Sequence, residues 1–178
     1  HIGYMFQRDR LLEWRTIRRN AQPGLELQGK LTAENIAFVD RMLEQYGLAE
    51  FKDRFPAELS GGMRQRAALI RTLAVRPDIL LLDEPFSALD YQTRLSVADE
   101  IGTIIRKEGK TALLVSHDIS EAISLSDRVL VLSGRPARLK KIHDIQLSVE
   151  NRTPMKAREA PEFRDYFNTI WKELDVHV

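Results

Sequence analysis

Two adjacent carboxylates, Asp83 and Glu84, follow the aliphatic run Ile79-Leu80-Leu81-Leu82. The run shows no polar alternation and lies between Pro77 and Pro85, so it predicts a short strand buried on both faces, as in a parallel sheet. Open α/β sheets bind ligands beyond the carboxyl ends of their strands, where these two residues fall. Neighbouring strand side chains point to opposite faces, so the carboxylates can hold different roles. In phosphoryl transfer Asp83 would hold Mg²⁺ and Glu84 would act on the attacking water. Upstream, Leu59-Ser60-Gly61-Gly62 opens a predicted helix over about Gly62 to Val75. Ser60 suits the N-cap, where its hydroxyl accepts from an unpaired N–H of the first turn. The glycines let another molecule's phosphate approach the backbone, and the helix N-terminus makes an anion site. Taken singly, Ser-Gly-Gly is an ordinary loop and Asp-Glu an ordinary strand end. In this order and this close together, they describe phosphate chemistry.

The chain around them has 178 residues, 43% hydrophobic and 30% charged, enough for one domain with a core. A net charge of +1 gives no strong field for nucleic acid. Without cysteine there is no disulfide framework and no thiolate metal site. No apolar run approaches the length of a membrane span. The sequence begins with His1 rather than Met, which we read as a start partway through a longer protein.

In chain order, Ile2 to Phe6 reads as a strand ending at Gln7. Trp14 reads as a packed aromatic. Gly24 to Lys30 spells GxxxxGK, most of a phosphate-binding loop, but Leu31 stands where a Mg²⁺-binding hydroxyl is needed. No apolar strand feeds it, and Glu26 would place a carboxylate in the cradle, so we reject it. Thr32 caps a helix over about Ala33 to Tyr46, with Ile36, Val39, Leu43 and Tyr46 on its buried face. Gly47 stops that helix and Leu48 packs back on it. Arg64, Arg66 and Arg71 read as a mixed solvated and ion-paired set. Asp90 caps the next helix, Tyr91 to Lys107, which Gly109 closes. Thr111 to Val115 is a second buried strand beside the first, and it ends at Ser116-His117-Asp118. There the His117 imidazole can bond a γ-phosphate. Three consecutive residues cannot form a Ser-His-Asp hydrolase triad. Asp118 and Glu121 fit a capping box for a helix through Leu125. Val129 to Leu132 is a further buried strand, and Ala137 to Ile142 an edge strand. His143 to Ala160 is polar and irregular. Pro161 starts a last helix to about Leu174, with Phe163, Phe167, Ile170 and Leu174 on one face.

LSGGMRQR resembles the signature of the nucleotide-binding subunit of ABC transporters, ILLLDEP its Walker B strand and SALD its D-loop. Gln7 and Ser116-His117-Asp118 resemble its Q-loop and H-loop. Leu11-Leu12-x-Trp14-Arg15-Thr16 is similar to the importer subfamily for nitrate, sulfonates and taurine, which often has Pro where Glu13 stands. The resemblance implies an α/β, P-loop NTPase-like ABC ATPase domain, with a mostly parallel sheet and a helical subdomain. It implies ATP and Mg²⁺ as cofactors, Glu84 as catalytic base, His117 and Gln7 as positioning groups, and Asp83 with Gln7 on the metal. Ser60, Gly61 and Gly62 would bind nucleotide held by an opposing subunit, and Asp90 would lie in the loop that crosses to it. Implied partners are a second ATP-binding subunit in a homodimer, membrane-spanning permease subunits that the helical subdomain grips, and indirectly a solute-binding protein, at the cytoplasmic face of the cell membrane. We divide the chain into a helical subdomain at about 18–75, a Walker B, D-loop and H-loop core at 76–142, and a C-terminal extension with a docking helix at 143–178. A complete P-loop and an upstream adenine-stacking aromatic are not in this sequence, so we read the chain as N-terminally truncated and inactive by itself. Two rivals stand beside an importer ATPase. One is a soluble ABC-type ATPase of DNA repair or translation, which the short distance from Gln7 to the signature disfavours. The other is a non-catalytic partner chain, which Glu84 and His117 disfavour.

Overall fold

The computed structural model describes residues 1–174. Three strands, β1 (Ile2–Met5), β2 (Ile79–Asp83) and β3 (Thr111–Val115), form a parallel sheet in that order. Ile2 pairs with Ile79, Ile79 with Thr111, and Asp83 with Val115. Parallel neighbours need long crossovers. The first contains α1 (Ile17–Asn20), α2 (Pro23–Leu27), α3 (Ala33–Gln45) and α4 (Gly61–Ala74); the second contains α5 (Tyr91–Lys107).

Short polar residues set the helix starts. Thr32, Ser60, Asp90 and Asp118 each accept a hydrogen bond from the amide three residues on. Gly47 takes φ +74°, and the Leu48 amide returns to the Leu43 carbonyl at 2.7 Å, the expected stop of α3. The Gly24–Lys30 stretch lies in α2 and the turn after it. A Cβ at Gly24 would meet Val75 at 2.6 Å, so this glycine serves helix packing and no phosphate cradle forms there.

The main core lies on one side of the sheet. Met5, Leu80 and Leu82 point into it and pack with Leu69, Ile70, Val97 and Ile101. The other side is open: Ile2, Tyr4, Ile79, Leu113 and Val115 are 40–64% exposed. Burial on both faces, expected for β2, therefore holds for one. β3 is corrected further, since only Leu114 along it is even half-buried. An apolar run reads the same whether one face or two are covered, and helices here cover one. Trp14, expected to pack, is 75% exposed at the surface.

Residues 119–174 build a second, smaller core. β4 (Arg128–Leu132), expected as a further buried strand, is buried on one face only and pairs antiparallel with β5 (Leu139–Asp144). Val129 and Val131 are buried, while Leu130 and Leu132 are exposed. β5 starts later than the expected Ala137, because Ser133 and Arg138 close the hairpin by backbone and hydroxyl bonds. Within the stretch read as irregular, Thr153 caps a four-residue helix, α7 (Pro154–Ala157), too short to show a period. Ile123 of α6 (Ile119–Leu125) and Ile170 of α8 (Phe163–Leu174) complete this core. Phe163 and Phe167 pack against it half-buried, whereas Leu174, placed on the same face by its spacing, is exposed.

Candidate functional site

The carboxyl ends of the three parallel strands bring together Gln7, Glu84 and His117. Glu84 leaves β2 with φ +44°, a left-handed conformation uncommon for a residue with a Cβ. Its amide donates to the Val115 carbonyl at 2.9 Å, and its carbonyl accepts from the Ser87 hydroxyl at 3.1 Å. So anchored, the side chain stands between two neighbours. Oε1 lies 3.2 Å from His117 Nδ1, and Oε2 accepts from Gln7 Nε2 at 3.4 Å. A carboxylate flanked by an imidazole and an amide can hold a water and take its proton. His117 is well exposed, and the Ser116 hydroxyl shapes its turn by accepting from the Asp118 amide at 3.1 Å.

Asp83, one residue earlier, points to the open face of the sheet, as strand alternation requires. Its Oδ2 accepts a hydrogen bond from the Tyr4 hydroxyl on β1 at 2.8 Å. That bond holds the tyrosine's proton above its ordinary range. Among the described residues no three His, Cys, Asp or Glu side chains gather as a metal cage. Magnesium is commonly bound through one or two carboxylates with water and phosphate oxygens, so a lone Asp83 fits that donor set. Gln7 gives its N–H to Glu84, leaving its amide oxygen as the group a cation would take.

Ser60 caps α4 through its Oγ, 3.3 Å from the Met63 amide, as expected. The glycines after it are closely packed. A Cβ at Gly62 would lie 2.8 Å from Val97 Cγ2 of α5, and one at Gly61 3.0 Å from Leu89. Asp90 caps α5 through the Thr93 amide, and its hydrogen bonds to Thr93 hold its carboxyl below the ordinary range. Among the described residues no hydrogen bond or ion pair joins Ser60–Gly62 to the Glu84 cluster. Two participants escaped the sequence reading. Tyr4 reaches Asp83 only through the β1–β2 register, which no local pattern encodes. Arg94 donates to the Leu89 carbonyl at 3.2 Å and lies 3.9 Å from Asp118, tying the turn before Asp90 to the turn after His117.

A family described as ABC transporter matches residues 1–87. An uncharacterized ABC transporter ATP-binding protein of Bacillus subtilis, YtlC, is 46% identical over 175 residues, covering 98% of this chain and 67% of the relative. The nitrate import ATP-binding protein NrtD of Synechocystis is 39% identical over 172 residues, covering 94% and 65%. In three dimensions the chain resembles a dimeric ATP-binding cassette in a post-hydrolysis state bound to ADP and Pi. The TM-score is 0.62 at 29% identity, over 82% of this chain and 63% of that one. The chain thus spans about two thirds of the length of the relatives it matches.

Proposed function

Because the chain belongs to the ABC transporter ATP-binding family, we propose that it is part of a subunit that hydrolyses ATP to drive import of a small solute of the nitrate, sulfonate and taurine class. The family and the kinship to a nitrate import protein support this reading. The observation that carries it is the contact of Glu84 with both His117 and Gln7 at the strand ends. Glu84 takes the proton of the attacking water, while Gln7 and His117 fix where that water and the γ-phosphate lie. Asp83 and the Gln7 amide oxygen would hold magnesium, which when bound would neutralise charge on the phosphates. The α4 N-terminus, with Ser60, Gly61 and Gly62, meets nucleotide bound by a second copy, and Asp90 lies in the turn that crosses to that copy. The helical region at about 18–75 faces membrane-spanning subunits, 76–142 carries the chemistry, α8 docks the extension 143–178 on the domain, and the subunit works at the cytoplasmic face of the membrane.

A chimera tests this: residues 1–178 replace the matched segment of YtlC, and phosphate release from Mg-ATP is followed. The chimera should turn over, and Glu84→Gln within it should keep ATP binding while turnover falls by about 10²-fold or more, the scale of a lost general base. Near-unchanged turnover in Glu84→Gln would remove Glu84 from the role of base. The chain by itself, which carries GxxxxGK only across α2 and the turn after it, should release phosphate no faster than buffer. Turnover by the isolated chain that Glu84→Gln abolishes would show that it needs no further phosphate loop.

A further inference from the structure

The segment that follows Gln7 is bolted to α4. Arg64 donates through Nε to Asp9 Oδ2 at 3.0 Å and through Nη2 to Asp9 Oδ1 at 3.1 Å. This two-pronged pairing fixes direction as well as distance. It is largely sheltered, the two side chains being 23% and 20% exposed. Nη2 also reaches Glu13, on the outer side, at 2.6 Å. Two turns further along α4, Arg71 donates to the backbone carbonyls of Arg10 at 2.8 Å and Asp9 at 2.6 Å. Between those bonds Arg10 is held at φ +53°, a conformation that persists only where the surroundings impose it. The Leu11 amide donates to Asp9 Oδ1 at 3.0 Å and closes the knot. Burial pushes the Asp9 carboxyl up, but the bonds from Arg64 and Leu11 outweigh it and hold the group below its ordinary range. The same bond raises the Arg64 guanidinium.

The two parts so joined have different duties in the function proposed above, on which this inference rests. Gln7 attends the water of its own subunit's site, and the start of α4 attends nucleotide bound by the other subunit. We propose that Asp9, Arg64 and Arg71 are positioning residues that make the Gln7 loop and α4 one rigid body, so that each subunit reports contact at one nucleotide site to the other. A mere local brace would steady only the residues it touches. A rigid body transmits in both directions, because coupling between two places is reciprocal.

Amide hydrogen exchange on the chain itself distinguishes the two. Asp9→Asn should speed exchange at the Met63 amide about tenfold, although the Asp9 carboxylate bonds to Arg64 and the Met63 amide to Ser60. Arg71→Gln should speed exchange at Leu11 by a similar factor, although Arg71 does not touch that amide. Amides of β2 report whether a variant is still folded; if they too lose protection, Arg64→Lys, which keeps the charge and loses the fork, takes that variant's place. Effects confined to the substituted side would overturn the proposal. In the YtlC chimera, Asp9→Asn and Arg64→Gln should each lower kcat about tenfold, and the double variant no further. Glu13→Gln should change little. Unaltered kcat in an active chimera would refute communication between sites even if exchange is coupled. A silent unsubstituted chimera would count against the proposed function instead, with exchange still deciding whether the rigid body exists.

Discussion

Gly62→Ala sets two effects of opposite sign against each other. Alanine is the better helix former by about 1 kcal/mol in a helix interior. The added methyl would lie 2.8 Å from Val97 Cγ2. Carbon atoms are comfortable at about 3.5–4.0 Å, so the pair would be roughly 1 Å too close. Val97 has no easy escape. It is β-branched within α5, where one χ1 rotamer dominates, and it is only 3% exposed. Forcing a methyl into such packing costs about 1–3 kcal/mol, so once the propensity gain is set against it the net loss is at most about 2 kcal/mol. Val97→Ala alone should cost about 1–3 kcal/mol through the cavity it leaves. Together they should cost less than their sum by about 1–2 kcal/mol, since the new methyl fills part of that cavity. Urea unfolding of the four proteins by circular dichroism measures all three quantities. A Gly62→Ala chain more stable than the original, or additivity within about 0.5 kcal/mol, would refute the packing argument.

Two further outcomes follow from one buried and one half-buried polar group. Asn20, 1% exposed, accepts from the Leu12 amide and donates to the carbonyls of Leu12, Arg15 and Thr16, so Asn20→Ala should lose about 2–3 kcal/mol in the same urea assay; a loss under about 0.5 kcal/mol would mean water replaces the side chain freely. Asp9, whose carboxyl is held below its ordinary 3.8, binds a proton less readily folded than unfolded, so stability rises with pH in that window. Its contribution is whole above the unfolded value and is lost as pH falls through the folded one, so the stability gap between the original chain and Asp9→Asn should narrow below about pH 4; a gap constant across that range would contradict the pairing with Arg64.

What the sequence disclosed was local chemistry. Thr32, Ser60, Asp90 and Asp118 announce helix starts because a cap is satisfied within three residues. Asp83 and Glu84 were legible as a pair with different directions because strand alternation is local too. Burial of β3 was not, since coverage depends on what packs from elsewhere. The left-handed turn at Glu84 left no mark either; a following proline ordinarily favours extended backbone. Nor could the partners of Arg64 and Arg71 be named, because Asp9 lies 55 and 62 residues away and meets them only through the fold. Four-residue helices such as α1 and α7 are shorter than any periodicity can reveal.

The uncovered side of the sheet sets how this chain behaves as a colloid. Attraction between exposed aliphatic and aromatic side chains is opposed, in a protein solution, chiefly by repulsion between like-charged particles. A net charge of +1 supplies almost none of that repulsion. With the sequence isoelectric near pH 8.2, ordinary buffers bring the molecule close to neutrality. Among the described residues β1 and β3 also end the sheet with unpaired backbone groups, which favour edge-to-edge contact. Dispersion at useful concentration therefore calls for a pH well away from 8.2, where charge of one sign accumulates, and for low ionic strength, where that charge is least screened.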